Sequence, residues 1–431
     1  SEGTMSEINS LNPIFANTEA EKSFSKLAFA QLFTIDTQGG LRRELVENIT
    51  ESNESKRFVV EIRQNAKWSD GEKLTAKDIK FTVDLMKNTA TNYSNSAAWQ
   101  TVEADILDEH KVQFTLKRSS KNFAYNLNFP ILPEHKLGSV SPAKMREDKF
   151  SEEPITSGPF KFKLLQKNDK QKTLMLESND NYFGGKPKLD RFEIRTYSSD
   201  ENLKKAILSG EISATADLSL ADFEEAQKDL FEESNVTLNA GFFAFLNESD
   251  PVLKDISVRK AIRFGTNVDK IREKLGDLEK LDLPILPEFL EGIKYQEIST
   301  DVEKAKKMLD EAGWKTGKDG FREKSGTKLS INLTTIKNSK LEIIAQELSA
   351  QLKELGIQVI VQIVDLEDKS QNFVQNILQP RAYGILIYEI SFGADPDIYA
   401  FWHSSQATEN GYNFSNYKDA VSDDILSSAR N

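Results

Sequence analysis

Two aspartates flanking a proline, Asp395-Pro396-Asp397, are the residues of this sequence whose types and spacing best suit chemistry. Neighbouring carboxylates can divide the roles of acid and base, or share a calcium ion. The same triplet also reads as a rigid turn, with proline fixing φ and aspartate favouring loop backbone. Histidine offers little more. The chain has three, His110, His135 and His403, none in an H-E-x-x-H pattern and none paired at helical spacing. His135 follows Leu132-Pro133-Glu134 at a loop-to-helix transition and reads as a surface or capping residue. There is no G-x-S-x-G elbow, no phosphate-cradling loop and no G-x-G-x-x-G. With no cysteine, thiolate metal sites, disulfides and a cysteine nucleophile are excluded. No catalytic residue, metal site or cofactor is therefore assigned. A hydrolase built on Asp395 and Asp397 is the enzymatic alternative to a chain that binds.

Composition sets the frame for these residues. A length of 431 residues predicts two or three domains, at roughly 100–200 residues each. A hydrophobic content of 38% is enough for real cores. The formal charge of −12 disfavours a polyanionic partner, so no nucleic acid is expected. Charges of both signs are interspersed, as on solvated faces. No apolar run is long enough to span a bilayer.

Local patterns predict the elements. Phe58 to Arg63 alternates as a strand and leads into Lys67-Trp68-Ser69-Asp70-Gly71, a tight turn with Trp68 at the strand end. A helix then starts at Thr75, with Asp78 at the third helical position completing a capping box. Val112 to Leu116 is a second alternating strand. Phe160–Leu165 and Thr173–Glu177 read as a hairpin, and Phe192 and Ile194 as a further strand. Val302, Ala305, Leu309 and Ala312 form one helical face ended by Gly313. Leu341, Ile344, Leu348, Leu352 and Leu355 form another ended by Gly356, before a strand over 357–364. Strands alternating with helices point to a mixed α/β architecture.

The stretch from Lys67 to Ile79 resembles the "VKWSDGTPLTAEDV" block of the extracellular solute-binding proteins that serve peptide ABC importers, family five of that class. Further blocks resemble the family in the same order. Leu11-Asn12-Pro13 is similar to its "LDP", and Leu27 to Leu32 with Asp36-Thr37-Gln38-Gly39 to its "LFEGLL…D.DG". Thr156 to Phe160 is similar to "GTGPY", Asn179 to Pro187 to "NPDYWGGKP", and Leu208 to Ile212 to "LQSGEID". Asp255 to Ile262 resembles "DVRVRQAI", Val268-Asp269-Lys270 the "IDR" after it, and Ala312-Gly313-Trp314 the end of "AEAGW". Asp395-Pro396-Asp397 with Phe401 to Ser405 resembles "DPDPYPFWHSS".

The resemblance implies a two-lobed, type II periplasmic-binding-protein-like α/β fold with an extra α/β domain inserted in lobe one. Residues 1–38 and 151–240 would form lobe one, 39–150 the inserted domain and 241–410 lobe two. The strand from Phe242 to Asn247 would be one hinge crossing. Residues 411–431 would begin a segment returning to lobe one, cut short at Asn431. The implied function is an extracytoplasmic substrate-binding subunit that captures a peptide-like ligand in an interlobe cleft and delivers it to ABC permease subunits. It would act as a monomer, in the periplasm or on the outer face of the cytoplasmic membrane. Membrane attachment would come only through a lipid-bearing cysteine upstream of Ser1. The alternative is a signalling or structural member of the same fold whose cleft has lost peptide recognition.

Relatives hold an extended peptide mainly through its backbone, as an added strand. Two segments match the parts that do so, Asn17, Thr18 and Glu19 after the "LDP" block, and Tyr388-Glu389-Ile390-Ser391-Phe392-Gly393 before Asp395. Tyr93 in a polar loop is a third candidate. Glu389-Ile390 stands where relatives often carry "GW". Phe392 stands where some carry an aspartate for the peptide amine, so a free α-amine is not required by the match. The few histidines disfavour the nickel-binding branch.

Overall fold

The computed structural model describes residues 1–36, 40–93, 96–168, 171–234, 240–276, 278–281, 283, 299–366, 368, 370–392 and 397–430. The chain divides into two units, residues 1–236 and 237–430.

Alternation in Arg57–Ile62 and Lys111–Leu116 buries Phe58, Val60, Ile62, Val112 and Phe114 on one face, as the sequence pattern predicts. These strands lie at the centre of a four-stranded antiparallel sheet, flanked by Val46–Ser52 and Val102–Asp108. The helix Ala76–Lys87 covers it with Ile79, Val83 and Met86. A second, five-stranded sheet carries the hairpin Phe160–Lys167 and Lys172–Ser178, then Arg191–Thr196, Glu2–Thr4 and Ala214–Thr215. The first strand runs parallel to both of its neighbours. One contiguous core, from Ile8 to Ile194, serves both sheets. The segment expected as an inserted domain therefore shares apolar packing with the sheet around it.

The second unit is built on a four-stranded sheet in the order Ala240–Leu246, Ile385–Ser391, Ser330–Ile336, Gln358–Val364. The last two strands are parallel and joined by the helix Ser339–Glu354, a βαβ crossover. Gly356 ends that helix at φ +80°, where a Cβ is disfavoured. The expected helix at Val302–Glu311 is capped by Asp301 and closed at Gly313, φ +86°. Both faces of the sheet are covered. Ile331, Leu333, Ile385 and Ile387 face the helices, while Phe245, Leu386 and Ile390 face a second cluster containing Phe373 and Phe414. Burial on both sides explains the unbroken apolar run at Ile385–Ile387. The strand containing Phe242 is an edge strand of this sheet, and residues 411–430 group with the second unit. No helix among the described residues is long and apolar enough to cross a membrane.

Candidate functional site

The segment from Trp68 to Asp78 is a brace. The Asp78 carboxylate accepts the Thr75 N–H at 2.8 Å, closing the expected capping box, and the Glu134 N–H at 2.8 Å from a distant helix. Burial pushes the Asp78 carboxyl up, outweighing these bonds. Trp68 is fully buried. The His135 ring lies 6.1 Å from it, and His135 Nε2 sits 3.0 Å from Asp70 Oδ2. His135 is exposed, as a surface residue is expected to be, and this bond ties its ring to the turn.

The first candidate segment lies in unit one. Thr18 is the N-cap of the helix Glu19–Ala28. Its hydroxyl donates to Glu7 O at 2.6 Å and accepts the Glu21 N–H at 3.2 Å, so it is already engaged. Asn17 is exposed, and Glu19, also exposed, pairs with Lys22 at 2.8 Å. Sequence reasoning missed the organising residue, Glu21. Its carboxylate is 2% exposed. It accepts N–H groups from Asn9, Ser10, Asn17 and Thr18 at 2.6–3.2 Å, fixing both ends of the loop between them. The spacing Thr18-x-x-Glu21 was the available signal. Tyr93 is half-buried and packs on the core instead of standing exposed, and burial pushes its phenol up.

The second candidate segment has a different geometry. The strand Ile385–Ser391 pairs along its whole length with Ala240–Leu246 on one side. On the other side, toward Ser330–Ile336, Cα pairing stops after Ile385 and Leu386. There the Thr335 hydroxyl donates to Ile387 O at 2.9 Å in place of a main-chain bond. Among the described residues no strand lies beside Tyr388–Ser391 on this side. Their main-chain edge on this side is therefore not paired by any described strand, the kind of edge to which an extended segment can add. Tyr388 is half-buried, stacked on Phe373 at 5.8 Å, and burial reinforced by the Glu389 charge pushes its phenol up. Ile390 is buried, Glu389 and Ser391 are exposed, and Phe392 meets Phe243 and Phe401 edge-on at 5.4 and 4.8 Å. Gly393 lies outside the described residues, as do Asp395 and Pro396.

Asp397 has structural partners. It accepts the Tyr399 N–H at 2.9 Å and pairs with Arg430 at 2.6 Å. A serine, a histidine and an aspartate also meet nearby. His403 Nε2 lies 3.2 Å from Ser427 Oγ, and its Nδ1 lies 3.8 Å from Asp423. However, Nδ1 accepts the Ser405 N–H at 3.0 Å. The ring proton therefore sits on Nε2 and points at the serine, the opposite of what a general base requires. Asp423 instead accepts the Ser404 N–H at 2.8 Å.

The model of the bacterial extracellular solute-binding proteins, family 5, matches residues 40–412. The chain is 29% identical to the oligopeptide-binding protein AppA of Bacillus subtilis, over 99% of this chain and 80% of that protein. It is 30% identical to a putative ABC transporter peptide-binding protein of Brucella ovis, over 70% of this chain and 56% of that one. The structure of B. subtilis AppA in complex with a nonapeptide is similar at a TM-score of 0.71 and 27% identity, covering 100% of this chain and 86% of that one. An oligopeptide-binding protein from Thermotoga maritima shares the fold at a TM-score of 0.79 and 20% identity, covering 84% of that chain. The architecture is that of the type II periplasmic binding proteins, and the chain belongs to the bacterial extracellular solute-binding proteins of family 5.

Proposed function

We propose that this chain is the extracytoplasmic substrate-binding subunit of an ABC importer, capturing an extended peptide and delivering it to permease subunits. The observation that carries the reading is the open main-chain edge at Tyr388–Ser391, in a chain similar to a protein solved with a nonapeptide. Main-chain pairing along that edge gives affinity that does not depend on the peptide's sequence. Tyr388, Glu389, Ile390, Ser391, Phe392 and Gly393 form the principal ligand segment. Asn17, Thr18 and Glu19, at the loop-to-helix junction held by Glu21, and Tyr93 are secondary contacts. The protein works as a monomer with no cofactor or metal, in the periplasm or on the outer face of the cytoplasmic membrane. It carries out no chemistry on its cargo, a reading supported by the engaged Asp397 and by the proton on the serine-facing side of His403.

Mass spectrometry of small molecules released on denaturing freshly purified protein tests this. A set of peptides is expected. A single non-peptide species, together with no heat of binding on titrating nonapeptides, would contradict it.

A further inference from the structure

The open edge has two chemically different faces. Side chains alternate along a strand, so Tyr388, Ile390 and Phe392 fall on one face and Glu389 and Ser391 on the other. The first face is aromatic. Phe392 touches Phe243 and Phe401, Phe401 lies 5.9 Å from Tyr412, and Tyr388 stacks on Phe373. Tyr412 is 57% exposed and Phe243, Phe392 and Phe401 are only half-buried, so these rings still present surface to a ligand. The second face carries an acid. Glu389 is exposed, stands opposite Phe242 in the register, and forms no ion pair among the described residues. Ser391 beside it is also exposed.

A strand added to this edge would alternate in the same way. Each second side chain would lie against the aromatic row, and those between would lie beside Glu389 and Ser391. We propose that the site selects extended peptides whose residues alternate between aromatic or large aliphatic and basic. The proposal rests on the peptide-binding reading above and names the class of peptide. The apolar positions supply affinity by covering half-exposed rings. The basic positions neutralise a carboxylate that has no ion pair among the described residues, and a cross-strand acid on the ligand would be repelled.

The test is calorimetric titration of the intact chain with four heptapeptides of equal length: alternating Phe/Lys, alternating Phe/Glu, alternating Ser/Lys, and a block peptide of Phe-Lys composition without alternation. Alternating Phe/Lys should bind tightest. Phe/Glu should be weaker by about fivefold, the scale of a cross-strand charge pair. Ser/Lys should be weaker by roughly tenfold, from lost apolar contact. The block peptide should fall below the alternating one. Raising the salt should shrink the Lys-over-Glu preference and spare the Phe-over-Ser one. Glu389→Lys, with its fold checked by circular dichroism, should reverse the order of Phe/Lys and Phe/Glu. Equal affinity for all four peptides, or an unchanged order in Glu389→Lys, would overturn the selectivity while leaving peptide binding in place. No binding of any peptide to the wild-type chain would overturn both.

Discussion

Thr335 Oγ1 lies 2.9 Å from the main-chain oxygen of Ile387. That one bond marks where the parallel ladder of the second unit ends and the open edge begins. A threonine at this point satisfies a carbonyl that the departing strand no longer reaches. It does so inside the protein, since Thr335 is fully buried.

Thr335→Val keeps the shape and removes the donor, leaving the Ile387 carbonyl unpartnered. The expected loss is about 1–3 kcal/mol, the range for a buried polar group left unsatisfied. The midpoint of urea unfolding measures it. An unchanged midpoint would mean that the carbonyl finds another partner.

Glu21 gathers four N–H groups from two stretches of chain. Burial pushes its carboxyl up, but those bonds outweigh burial and hold it below the ordinary glutamate range. Its contribution is therefore present above the unfolded pKa and lost as pH falls through the folded one. Glu21→Ala should cost roughly 2–4 kcal/mol at neutral pH, as several charge-assisted bonds disappear together. The gap from wild type should narrow below about pH 4, where the unfolded carboxyl is protonated. Chemical denaturation across pH measures both. A constant gap would contradict the carboxylate's role.

Glu44 has the opposite sign. It receives the Gln31 N–H at 3.0 Å and the Tyr182 hydroxyl at 3.3 Å, yet burial pushes its carboxyl up to about 7. The folded state then keeps a proton that the unfolded chain has released. This contribution is complete below the unfolded pKa, near 4.3, and is lost as pH rises through about 7. Glu44→Gln should flatten the stability profile across that window and leave the variant more stable than wild type by about 1–3 kcal/mol at pH 8. Parallel profiles would contradict the shift.

The features legible in the sequence are those whose cause is local. Thr75 with Asp78, Gly313, Gly356 and the alternation in Arg57–Ile62 each depend on residues a few positions apart, and each appears in the structure as expected. The site is less legible because its causes are distant. Asp78 reaches Glu134, and Tyr388 stacks on Phe373. The open edge exists because one strand outruns another to which it is paired at only two positions. Segment matching points to Tyr388–Phe392 as a candidate, but no local pattern reveals which side of that strand lacks a neighbour among the described residues. Thr18 is the converse, a capping residue whose local signal, Thr18-x-x-Glu21, lay within the sequence.

The measurement that tests the central claim most directly is hydrogen–deuterium exchange at Tyr388–Phe392 with and without a bound nonapeptide. Alternate amides of this segment face away from Ala240–Leu246, and on an uncovered edge they exchange readily until a strand covers them. The account predicts that exchange in this segment slows as peptide is added and saturates with the binding isotherm. Saturating peptide that leaves these amides exchanging at the free rate would contradict it.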